Sequence, residues 1–186
     1  MVPILSLWLP IVLSSVIVFL ASSIMHMVLK YHQSDYSPLP KEAEAMSFLR
    51  GLGLAPAYYH FPRPASMKDM GSPEMLEKFK QGPVGFLAIL PSGAPKMGKF
   101  LSQWFVYCLV VAFFAAYLAG RTVQAGAPYL AVFRVVGTVA FMAHGLGRVV
   151  DSIWMGSPWK TTFKHVFDGL VFSLLTAGTF GWLWPR

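Results

Sequence analysis

The chain has 186 residues, 55% of them hydrophobic and 12% charged, with a mean hydropathy of +0.55. A soluble domain carries about 25% charged residues, so this composition excludes an ordinary water-soluble fold and points to lipid as a solvent. The formal net charge of +7 comes with no motif that reads nucleic acid and suits anionic lipid headgroups instead. The single cysteine, Cys108, excludes an internal disulfide and any cysteine-built zinc or iron–sulfur cage.

The first apolar run is LWLPIVLSSVIVFLASSIMHMVL, residues 7–29, free of Lys, Arg, Asp and Glu. It is long enough to cross a hydrocarbon core of about 30 Å. No basic stretch precedes it and it exceeds the apolar length of a signal peptide, so a retained span is expected. Residues 30–99 form a polar insert rich in proline. Within it SPLPKEAEAMSFLRGLG and GSPEMLEKFKQGP each carry helix start and stop signals: acids or a Ser-Pro pair in front, glycine behind. AYYHF and VGFLAIL predict two short strands. An insert of this size is marginal alone and is expected to lean on the membrane helices.

The second run, FLSQWFVYCLVVAFFAAYLAG, spans 100–120 and sets Cys108, Ala112, Ala116 and Gly120 four apart, a stripe that admits a neighbouring helix closely in lipid. A polar turn at 121–128 precedes a third run at about 129–150. DSIWMGSPWKTT links that run to a fourth at about 163–184, and such short links predict antiparallel neighbours. The fold class expected is an all-α membrane protein: four transmembrane helices with a small α+β polar insert between the first two. Its division is span one at 1–29, the insert at 30–99 and spans two to four at 100–186. Lys30, Lys96, Lys99, Arg148, Lys160 and Lys164 flank the insert side, against Arg121 and Arg186 on the other. That asymmetry predicts a cytoplasmic insert, with both termini on the non-cytoplasmic side.

Ionisable residues inside these runs are the candidate site. On a helical wheel, Arg148 lies about 40° from His144 and Asp151 about 20° the other way, while Arg134, near the opposite interface, can snorkel. Lys164, His165 and Asp168 share one flank of the fourth run. His26 ends the first run, with Lys30 on the same stripe. Odd and even spans run oppositely, so His26, His144, Arg148, Asp151, Lys164, His165 and Asp168 are expected near one membrane face, with His32 in the adjoining loop.

Four readings fit this convergence. One is a paired network, Asp151 with Arg148 and Asp168 with Lys164, since unpaired ions are expensive in a membrane. A second is haem b held by His26 and His144, with His165 as a spare ligand. A third is copper bound through the soft donors of MHM, 25–27, and of MKDM with Met75. The fourth uses Asp151 or Asp168 as a proton carrier. No nucleophile elbow, phosphate loop or HExxH helix is present.

The segments SSIMHMVLKYHQSDYSPLP, AMSFLRGLGLAPAYYHFPRPASM, EKFKQGPVGFLAIL and DGLVFSLLTAGTFGWLWP together resemble a family of small multi-pass proteins of the bacterial inner membrane. The resemblance implies that location and carries no activity, cofactor or catalytic residue. The leading expectation is a non-catalytic integral membrane protein that serves as an accessory subunit of a larger membrane complex, with lipid and other subunits as partners. The alternative, centred on His26, His144, His165 and Asp168, is a protein that binds haem or a metal ion, or handles protons or ions.

Overall fold

The computed structural model describes residues 1–186. It divides into two compact units, one made of Met1–Tyr36 with Lys96–Arg186, the other of Ser37–Pro95.

The first unit is helical. A 3₁₀ turn at Ile4–Leu7 leads into α1, Trp8–Ser23, and a π turn at Ile24–Val28 prolongs it. A 3₁₀ stretch, Lys30–Asp35, follows directly. Later come α4, Met97–Thr122, and α5, Tyr129–His144. After another 3₁₀ turn, Leu146–Arg148, the unit closes with α6, Val149–Trp154, and α7, Trp159–Trp182. Three stretches are long and apolar enough to cross a membrane: Ile4–Val28, Met97–Thr122 and Tyr129–Trp154. The fourth expected span, α7, has 24 residues but is not among the three; Lys160, Lys164, His165 and Asp168 all fall in its first half.

The third stretch is not the unbroken helix on which the wheel was drawn. Helix α5 ends at His144, and Gly145 lets the chain tighten into the 3₁₀ turn before α6. Glycine is a poor helix former, but the stronger reason is packing. A Cβ on Gly169 of α7 would lie 2.4 Å from the Gly145 Cα, so α5 and α7 meet backbone to backbone there. A second close approach anchors the N-terminal segment. Val2 N–H donates to the Gly120 carbonyl at 2.8 Å, and a Cβ on Gly120 would meet the Val2 carbonyl oxygen at 2.7 Å.

Around the Val2–Gly120 contact Leu7, Ala115, Ala116, Ala119, Val132, Val136, Ala177 and Phe180 form a core with no exposed surface. The stripe of Cys108, Ala112, Ala116 and Gly120 is buried within this unit. It is filled from inside the chain and offers no face to an outside helix. The small polar residues among the helices look after themselves: Ser15, Thr176 and Thr179 each donate to the carbonyl four residues back, at 2.7 to 2.8 Å.

The second unit, Ser37–Pro95, contains α2, Glu42–Gly51, and α3, Pro73–Gln81. Strands β1, Ala57–Phe61, and β2, Gly85–Ile89, pair antiparallel with Tyr59 opposite Leu87. The start of α3 follows its sequence signals: the Ser72 hydroxyl accepts from Met75 N–H at 3.2 Å, and Pro73 takes the first helical position. Gly82, at a φ of 59°, ends the helix in a conformation that side chains disfavour.

Candidate metal centre

The end of α1, the 3₁₀ stretch after it and the first half of α7 bring four metal-ligating side chains together. His26, His32, His165 and Asp168 each place a donor atom within 4.8 Å of all the others. The centre is Asp168 Oδ2, with His32 Nε2 at 2.9 Å, His165 Nδ1 at 3.8 Å and His26 Nε2 at 3.9 Å. The rings of His26 and His32 stack at 4.4 Å, 6° from parallel, and those of His32 and His165 lie 5.2 Å apart.

Outer partners hold these donors in place. His26 sits in the π turn, a distortion that recurs at functional sites, and its Nδ1 lies 3.0 Å from the Ser22 carbonyl. As the N–H tautomer, Nδ1 donates to that carbonyl and leaves the Nε2 lone pair free. His32 repeats the arrangement with a carboxylate: Nδ1 is 2.5 Å from Asp35 Oδ2 while Nε2 faces Asp168. A carboxylate or carbonyl behind an imidazole is the usual orienting shell of a metal-bound histidine. Asp168 is steered the same way, because the Tyr31 hydroxyl donates to Oδ1 and leaves Oδ2 to the histidines.

Asp35 has a side chain only 3% exposed. Burial by itself would raise its pKa, yet hydrogen bonds from Lys164 and His32 hold the carboxyl below its ordinary range. Lys164 Nζ donates to Asp35 at 2.6 Å, to the Tyr31 carbonyl at 2.6 Å and to Ser34 Oγ at 2.9 Å. The Tyr31 phenol is pushed far above its usual pKa, first by burial and then by Asp168, so it stays a proton donor. Two carboxylates, Asp35 and Asp168, thus face one ammonium, Lys164, and three imidazoles.

The structure sorts the expected residues. His26, His165, Asp168 and Lys164 converge, and His32 joins them from the loop. Lys164 does not pair with Asp168; the 3₁₀ stretch comes between and supplies Asp35. Arg148 and Asp151 pair with each other at 3.1 Å, both well exposed. His144 is buried in a box of Trp104, Tyr107 and Phe172, with ring centroids 5.5 to 5.9 Å away, and its Nδ1 has no hydrogen-bond partner. Of the methionines proposed as soft ligands, Met25 is buried in the core beside Val18, Cys108 and Phe172. Met67 is 81% exposed and Met75 is buried, both in the second unit.

Sequence reasoning missed Tyr31 and Asp35. Their signal was the run YHQSD directly after the first span, where His32 and Asp35 stand three apart.

No protein-family model, curated protein or solved structure matches the chain. The site's own chemistry therefore carries the functional argument.

Proposed function

We propose that this protein is a multi-pass membrane metalloprotein that holds one divalent transition-metal ion on His26, His32, His165 and Asp168, with Zn²⁺ the first choice. The carrying observation is the donor set: three imidazole nitrogens and one carboxylate oxygen around a common point, with orienting partners behind His26, His32 and Asp168. Tetrahedral zinc with bonds of 2.0–2.1 Å sets donors about 3.3 Å apart. The donors lie 2.9 to 3.9 Å from Asp168 Oδ2 and within 4.8 Å of one another, so side-chain shifts on the order of an ångström bring them to that geometry.

The donor types also select. Imidazole suits zinc, Cu(II), iron and nickel, whereas Cu(I) prefers thioether or thiolate, and no sulfur belongs to the set. Haem b on His26 and His144 would leave His32 and the Asp168 carboxylate without a role, and His144 stands in a box of Trp104, Tyr107 and Phe172. The small-residue stripe of α4, one of the features behind the accessory-subunit reading, is filled from within the chain. In this proposal α7 crosses the membrane as a fourth span, in the bacterial inner membrane, with the termini on the non-cytoplasmic side as the basic residues suggest.

Metal analysis of the full chain, purified in mild detergent without chelator and then titrated with Zn²⁺, tests the reading. One ion per chain is expected, lost in His32→Ala and Asp168→Ala and retained in His60→Ala. A parent protein that stays metal-free at micromolar Zn²⁺ overturns the reading and leaves a paired polar network.

A further inference from the structure

A cavity of about 700 Å³ lies among the end of α1, the start of α4, the end of α5 and the first half of α7. That volume suits one small ligand. Three of the four proposed donor residues, His26, His165 and Asp168, form part of its wall, and His32 does not. An ion held there has protein behind it, where His32 is tied back to Asp35, and the cavity in front. The four protein donors complete a tetrahedron, so an outside ligand would reach the ion as a fifth donor from the cavity side, an expansion that zinc sites allow.

The chemistry of the wall narrows that ligand. Most of it is apolar, with Met27, Leu101, Trp104, Tyr107 and Phe172 contributing. Asp168 is its one carboxylate, and Arg148 adds a guanidinium. Arg148 bonds Asp151 through Nη1 and keeps further N–H donors for another oxygen. A divalent ion and Lys164 together would outweigh the two carboxylates, Asp35 and Asp168. One end of the cavity is then electropositive and metal-bearing, and the remainder is greasy.

We infer that the cavity binds a single-chain lipid with an oxyanion head: the head ligates the ion beside Arg148, and the acyl chain lies among the apolar residues. This inference rests on the metal-site reading above. A free fatty carboxylate and a lysophosphatidate share this chemistry, and the test separates them.

Full-length protein in phosphatidylcholine nanodiscs is loaded with Co²⁺, whose visible d–d bands report the ligands of the ion. Palmitate and 1-palmitoyl lysophosphatidate are titrated separately, with acetate and hexadecanol as probes lacking the tail or the charge. A saturable change of the bands with palmitate, with lysophosphatidate or with both supports the inference and identifies the head. Acetate is expected to need at least about 100-fold more ligand, because it buries no chain. Leu101→Trp and Ala143→Leu, which fill the cavity, keep the Co²⁺ bands and lose the lipid response. Arg148→Gln weakens it about tenfold with Co²⁺ binding unchanged. Unchanged bands with both lipids, an equal response to acetate, or a full response in Leu101→Trp overturns the inference while the metal site stands. A parent protein with no Co²⁺ bands overturns the metal reading, and this inference with it.

Discussion

The two ends of the helical unit are built from the same helices and differ in kind. At one end Leu7, Ala119, Val132, Val136, Ala177 and Phe180 are fully buried against one another, and small residues bring the backbones together. At the other, the buried apolar group is only Val18, Met25, Cys108 and Phe172, and it borders a cavity and a cluster of ionisable side chains. Dispersion contacts and close backbone approach hold the first end, as in other helix assemblies in lipid. The second end forgoes part of that packing to keep polar groups and open space, an expense a membrane protein tolerates at functional sites. One end is packed dry and the other carries the candidate metal site.

Breaking the α5–α7 contact beside the polar cluster has the largest expected effect. Gly169 follows Asp168 directly and rests on the Gly145 backbone. Gly169→Val puts a branched side chain where neither backbone can yield, so α5 and α7 separate. The expected outcome is loss of a monodisperse detergent peak and of bound metal together. Normal folding with a full ion complement would show that the two helices do not need this approach.

Phe180→Ala strikes the dry end alone. Removing a fully buried aromatic ring costs about 3–5 kcal/mol where the surroundings cannot collapse. A lower midpoint on thermal or SDS unfolding is expected, with one ion per chain still bound under native conditions. Stability and site fail separately if the comparison is sound; simultaneous loss of metal would show the two ends to be one cooperative unit.

Asp35→Asn is a gentler blow to the wet end. The amide keeps the shape but removes the charge that orients His32 and holds Lys164. Losing an outer-shell partner of this kind lowers metal affinity about 10–100-fold. Competition with a chromophoric chelator measures it, and an unchanged affinity would remove Asp35 from the shell.

How far the sequence revealed this division depends on the range of the interactions. The apolar runs and the insert's helix signals are local, so they could be read directly: Ser72, Pro73 and Gly82 bound α3 as their residue types dictate. His26, His165 and Asp168 were legible because helical spacing and antiparallel order set their depth. Tyr31 and Asp35 were not, because a 3₁₀ stretch has no apolar period to announce which way its side chains turn. The wheel placed Arg148 and Asp151 well enough to pair them but missed the break that ends α5, because the contact behind it, Gly145 on Gly169, joins residues 24 apart in sequence.

Asp151 and Asp168 sharpen the comparison with the smallest effect of all. In the sequence they look alike, each a carboxylate within an apolar run and beside a basic residue. In the fold the Asp151 side chain is 40% exposed and its partner Arg148 53%, against 3% for Asp168. Exposed pairs contribute about 0–1 kcal/mol because water and salt screen them and two flexible side chains must be fixed. Asp151→Asn is therefore expected to leave the unfolding midpoint almost unmoved and zinc stoichiometry at one per chain, while Asp168→Ala loses the ion. Equal losses in the two variants would mean that burial does not decide which carboxylate works, and the contrast between the two ends would then lack a cause.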